Sequence, residues 1–231
     1  MLKRIVRIAA PIMLSYAAVG LACGVLAAQA GMAPWMTALV SLTYFSGSGQ
    51  FMISNLWLAG TPTLSIAASV SAISARFALY SASFAPYLKD ASPAETLGVA
   101  GTLIEEGYGI SMGKIVEGDD WGPRESTLLN VVLILTWTVF TVAGTLVGAA
   151  IEVPTAVAAF ACTSLFIYLL SAQESHRGNV VAAAVAFAAV AALKLAGLAG
   201  IAVPVAAVAG VAAALALDAV PRKGGERHAD R

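Results

Sequence analysis

Tyr44-Phe45-Ser46-Gly47-Ser48-Gly49-Gln50-Phe51 interrupts an apolar run, residues 34–58, that otherwise has the composition of a membrane-spanning helix. Two glycines alternate there with two serines. Glycine lowers helix propensity by about 1 kcal/mol relative to alanine, and serine offers the backbone a competing hydrogen-bond partner, so a helix is weakest at this point. An unwound turn at residues 46–50 is expected. In hydrocarbon an unpaired backbone amide is strongly unfavourable, so such a turn persists only where it is buried in protein or lines a watery cavity. The competing reading is that Ser46, Gly47, Ser48 and Gly49 only let a neighbouring helix approach closely.

The surrounding composition places that turn in a membrane. Of 231 residues, 59% are hydrophobic and 11% charged, and the mean hydropathy is +0.85, whereas a soluble domain carries about 25% charged residues. The chain reads as one all-α, polytopic transmembrane domain, 1–231, ending in a polar tail at 221–231. The 13 basic and 13 acidic residues cancel, so bulk charge points to no nucleic acid. Cys23 and Cys162 lie in apolar runs and His176 and His228 in polar ones, which leaves no disulfide framework and no metal site. No Walker loop, dinucleotide fingerprint or Ser-His-Asp arrangement is present, so neither an enzyme nor a cofactor is expected. The start, with Lys3, Arg4 and Arg7 before an apolar run ending in Ala28-Gln29-Ala30, imitates a secretory signal. Its apolar run at 8–30 is longer than a signal's core of about 7 to 15 residues and reads as a span.

Eight spans are expected: 8–30, 34–58, 63–86, 93–112, 126–151, 154–172, 179–198 and 201–220. The fourth is the doubtful one, because it holds Glu105 and Glu106 and is interrupted by Gly107 and Gly109. Charge decides it. With eight alternating spans, Lys3, Arg4, Arg7, Lys114, Arg124, Arg177, Arg222, Lys223, Arg227 and Arg231 share the cytoplasmic side and Lys89 alone is outside. Without the fourth, most of them move outside, against the cytoplasmic bias of Lys and Arg. Both termini are therefore expected in the cytoplasm. Gly20-x-x-x-Gly24 and Gly144-x-x-x-Gly148 have the spacing that brings helices together.

Charges at membrane depth need partners. An arginine near a helix centre costs about 2.5 to 3.5 kcal/mol on insertion scales, so Arg76 should face the interior, meeting a carboxylate of the fourth segment or of a substrate. Tyr80, four residues on, shares its face. A purely structural Arg–Glu bridge is the alternative. Glu105 and Glu106 point about 100° apart on a helix, so one is expected to pair with Arg76 while the other exchanges protons. Paired interruptions of this kind mark the binding site in transporters. Lys194, near a span end, can snorkel.

These residues carry a family likeness. Ser15-Tyr16, Cys23-Gly24, Phe45 to Phe51, Ser74-Ala75-Arg76-Phe77-Ala78-Leu79-Tyr80 and Ile104-Glu105-Glu106 resemble the motifs of the AzlC family, the large subunit of bacterial branched-chain amino acid exporters. Ser74 and Phe77 stand where the family commonly has aspartate and histidine. The resemblance implies a secondary carrier of the bacterial inner membrane, working with a small AzlD-type subunit. The expected site comprises Ser46, Gly47, Ser48, Gly49, Gln50, Arg76 and Tyr80 for the amino acid, with Glu105 and Glu106 for proton coupling or ion pairing. The other classes are a passive channel for a small solute and a subunit whose partner forms the pathway.

Overall fold

A computed structural model describes residues 1–150, 160, 167 and 177–219. The chain divides into two compact units, Met1–Ile167 and Tyr168–Arg231. Apart from Phe160 and Ile167, the expected helix at 154–172 lies outside the described residues, as do Cys162, His176, His228 and the tail at 221–231.

In the first unit α1 (Leu2–Gln29) and α8 (Pro123–Ala150) form the scaffold. Between them come α2 (Pro34–Thr43), α3 (Gly47–Leu58), α4 (Thr63–Ser74) and α5 (Arg76–Phe84), the last continued by a 3-10 turn at Ala85–Leu88. Then follow α6 (Pro93–Thr102) and α7 (Glu105–Val116). The two glycine pairs of α1 and α8 meet each other. A Cβ on Gly24 would fall on the carbonyl oxygen of Thr141 and 2.8 Å from Gly144 Cα, and one on Gly148 would lie 2.9 Å from Val25 Cα. The helices therefore run parallel with their backbones in contact, as small residues allow where hydrocarbon gives helices no hydrophobic reason to associate.

The two segments expected to cross as broken spans instead fold back. Thr145 donates to Thr37 (3.0 Å) and Ser41 pairs with Thr141 (3.0 Å), so α2 runs antiparallel to α8 as far as its middle. After Tyr44-Phe45-Ser46 the chain reverses: Gln50 accepts from Ser41 (3.1 Å), and Ile53 and Ser54 share a small cavity with Thr37, Met32 and Ala27. At about 1.5 Å per residue, α2 and α3 each reach roughly half of a hydrocarbon core of about 30 Å.

The second hairpin enters from the other end. Glu95 at the start of α6 pairs with Arg124 at the start of α8 (2.8 Å), Gly98 packs on Thr127, and Thr102 accepts from Asn130 (3.4 Å). So α6 runs alongside α8 in the same direction. Beyond Leu103-Ile104, α7 returns: Gly107 lies against Asn130, and Lys114 reaches Asp119 (3.1 Å), which also pairs with Arg4 (3.7 Å). Three long helices, α1, Thr63–Leu88 and α8, thus alternate with two hairpins of about half their length.

This corrects the expected alternation at 34–58 and 93–112. Lys89, assigned to the outside, shares an end with Lys3, Arg4, Arg7, Lys114 and Arg124, while the loops at the other end, 30–33 and 59–62, carry no charge. The helices expected at 63–86, 126–151, 179–198 and 201–220 lie within three residues of those bounds, and α1 begins at Leu2, before the expected 8.

The second unit contains α9 (Arg177–Leu195) and α10 (Ala199–Ala219), joined at Gly197, whose φ of 77° suits glycine. Gly210 lets α10 approach the Ala182 carbonyl. Lys194 is exposed in the last turn of α9. Among the described residues, α1, Thr63–Leu88, α8 and α9 are long and apolar enough to cross a membrane.

Candidate functional site

The hairpin tips meet at the middle of the first unit. The first break is shorter and earlier than expected. Tyr44 and Ser46 have extended backbones, and the helix resumes at Gly47 because Ser46 caps it, its hydroxyl accepting from the Gly49 amide (3.2 Å). Gly47, Ser48, Gly49 and Gln50 are therefore the first turn of α3 and not an unwound loop. Both glycines are there for close approach: a Cβ on Gly49 would collide with the Tyr44 hydroxyl, and one on Gly47 would sit 3.0 Å from the Trp137 ring. The Tyr44 hydroxyl in turn bonds Ser74 (2.8 Å), tying the tip to the kink between α4 and α5.

Gln50 is only 5% exposed and its amide is engaged within the protein. Its Nε2 donates to the Tyr44 carbonyl (2.8 Å), a group freed by the break, while Oε1 accepts from Ser41 (3.1 Å) and Trp137 Nε1 (3.1 Å). A buried polar group of the broken helix is satisfied in this way. Gln50 holds the tip closed against α8.

Arg76 begins α5 and joins the two hairpins. Its Nη2 lies 2.7 Å from Glu105 Oε2 and donates to Ser48 Oγ (2.8 Å). Its Nε is buried with no hydrogen-bond partner. The side chains of Arg76 and Glu105 remain 27% and 47% exposed, so the pair borders open space and is not sealed in the core. Tyr80 stacks on Tyr108 of α7 (centroids 4.6 Å apart), which aligns α5 with α7. The second break lies before the glutamates, at Leu103-Ile104, and not at Gly107 and Gly109. Gly107 is needed instead where Asn130 presses on α7.

The adjacent carboxylates diverge. Glu105 faces Arg76, whereas Glu106 lines a cavity of about 30 Å³ with Tyr16, Ser41, Phe45, Ile104, Leu133 and Trp137 among its walls. Among the described residues, no cation forms an ion pair with Glu106. Ser41, Trp137, Thr141 and Asn130 were not anticipated from the sequence. Their signal was present: Asn130, Trp137 and Thr141 recur at helical spacing on the face of α8 that carries the glycines, and polar groups within a span turn inward.

A protein-family comparison matches residues 11–151 to AzlC, described as AzlC protein. Neither the curated proteins nor the solved structures contain a match.

Proposed function

Because the chain belongs to the AzlC family, which is associated with branched-chain amino acid transport and export, we propose that it is a secondary transporter exporting branched-chain or related neutral amino acids across the bacterial inner membrane, coupled to protons. The observation that carries this reading is the meeting of two opposed hairpin tips at Arg76. In carriers, half-helices ending near the membrane midplane direct their positive N-terminal ends at anionic substrate groups. Here α3 and α7 both begin there. The substrate carboxylate faces the start of α3 at Ser46, Gly47 and Ser48 and the free edge of Arg76, with Gly49, Gln50 and Tyr80 shaping and holding that edge. Glu105 exchanges between Arg76 and a proton.

The membrane orientation follows from charge. The end bearing Lys3, Arg4, Arg7, Lys89, Lys114 and Arg124 faces the cytoplasm. Both termini are proposed to lie on that side, as the charge pattern of the sequence implies. α1 with α2–α3, and Thr63–Leu88 with α6–α7, are then two span-plus-hairpin units of opposite sense, the inverted arrangement found in carriers that rock between two access states. A small AzlD-type subunit is the proposed partner.

Counterflow in proteoliposomes, with and without the small subunit, tests the reading. Valine, leucine or isoleucine inside the vesicles should drive saturable uptake of labelled leucine. Unsaturable flux without counterflow would identify a channel, and flux only with the partner present would give the pathway to that partner.

A further inference from the structure

We infer that Glu106 and the cavity it lines form the subsite for the substrate's ammonium group and aliphatic side chain, so that this protein recognises primary aliphatic ammonium compounds even without a carboxylate. The inference deepens the proposed function and rests on it for the substrate's remaining end.

Charge balance is the first support. Near the hairpin tips one guanidinium stands among two carboxylates, and Arg76 is committed to Glu105 and Ser48. Glu106 is left with no cationic partner among the described residues, in a cavity whose walls include Phe45, Ile104, Leu133 and Trp137. A carboxylate so placed at membrane depth, with the Tyr16 hydroxyl as its neutral neighbour, favours a cation. An ammonium group on an aliphatic chain satisfies both the charge and the apolar walls.

The aromatic lining supplies the second support. Tyr16 and Trp137 meet edge to face at 5.0 Å, and Trp137 spends its N–H on Gln50, so its ring and not its donor is offered to a ligand. Aromatic rings favour ammonium groups by cation–π attraction. The cavity's size gives the third. About 30 Å³ holds roughly two waters, so a branched side chain enters only if the walls part. Those walls are divided suitably: Phe45 and Gly47 belong to one hairpin tip and Ile104 and Glu106 to the other, while Leu133 and Trp137 belong to α8. Occupation of the subsite therefore moves the two tips relative to the scaffold.

The test is competition against labelled leucine on purified protein in detergent, using isopentylamine, which lacks the carboxylate, and 4-methyl-2-oxopentanoate, which lacks the ammonium. The amine should displace leucine at least about tenfold more effectively than the keto acid. Glu106→Gln should weaken the amine by about 10- to 100-fold, the loss expected for a charge-assisted hydrogen bond, and Glu106→Asp should retain most of it. Equal displacement by both compounds, or amine affinity unchanged in Glu106→Gln, overturns the assignment and leaves Glu106 as a proton site. If wild-type protein neither binds leucine nor shows counterflow, the exporter reading fails, and isopentylamine binding is then followed by tryptophan fluorescence. Binding that disappears in Glu106→Gln still supports the subsite; no binding overturns it as well.

Discussion

Arg76→Ala abolishes amino acid efflux from preloaded vesicles while the protein still reaches the membrane. The substitution removes the one cation that joins Ser48 of the first hairpin to Glu105 of the second, at 2.8 and 2.7 Å. Breaking a fully buried ion pair by deleting one partner costs about 3 to 5 kcal/mol of stability, and with Glu105 47% exposed the cost here is smaller, so the protein still folds. Efflux is lost, by roughly 100-fold at the upper end of the about 1.5 to 3 kcal/mol of a hydrogen bond to a charged group, because the substrate carboxylate loses its guanidinium. Arg76→Lys should recover only a fraction, because both contacts are made by Nη2 at the far end of the guanidinium, a position that the shorter lysine side chain does not reach. Removing both charges, in Arg76→Ala with Glu105→Ala, separates scaffold from function: the midpoint of thermal unfolding returns toward wild type because no charge is stranded, but efflux stays lost. Wild-type efflux in Arg76→Ala would demote the arginine to scaffolding.

Among the described glycines whose added methyl would meet backbone, Gly24→Ala and Gly144→Ala destabilise the protein most. In both, the added methyl meets backbone, which cannot swing aside: the Thr141 carbonyl and Thr145 amide for Gly24, the Leu21 carbonyl for Gly144. Overpacking of this kind costs about 1 to 3 kcal/mol, here with no compensating hydrophobic gain between helices in lipid. Gly20→Ala, facing Phe140 Cβ at 3.0 Å with backbone no closer than 3.6 Å, should be milder. Gly109→Ala and Gly113→Ala open onto empty space in α7 and should be neutral or slightly stabilising, since alanine is the better helix former. Thermal unfolding in one detergent checks the ranking. Equal midpoints for Gly24→Ala and Gly109→Ala would mean that α1 and α8 are not in backbone contact.

The sequence made the weak points of the membrane segments visible and left their geometry hidden. Glycine and serine at 46–49 announced an interruption, yet the chain breaks at Tyr44-Phe45-Ser46, because a serine that caps a helix turns a weak stretch into a start. At the second break the cue was misplaced: Gly107 and Gly109 are helical, and the turn falls on Leu103-Ile104, two residues with no breaking tendency of their own. That Arg76 would meet one of the two adjacent glutamates was legible, since a mid-span arginine needs a carboxylate and few were available, but that it is Glu105 was not. Reversal of direction was not. Hydropathy cannot distinguish a broken span from two half-length helices lying side by side. The reversal is fixed by pairs remote in sequence, Thr37 with Thr145 and Glu95 with Arg124. The family motif placed Ser74 and Phe77 as departures, and the structure gives Ser74 a task of its own, bonding Tyr44.

The first unit is built on two opposed hairpins and not on two crossings at 34–58 and 93–112. Single cysteines at Asp90 and Gly118, and at Gly31 and Gly60, in a background lacking Cys23 and Cys162, test it with a membrane-impermeant thiol reagent applied to sealed vesicles of known orientation. The account predicts that positions 90 and 118 react from the side of the N-terminus and positions 31 and 60 from the other. Labelling of 90 and 118 from opposite sides, or of 31 and 60 from opposite sides, would contradict it.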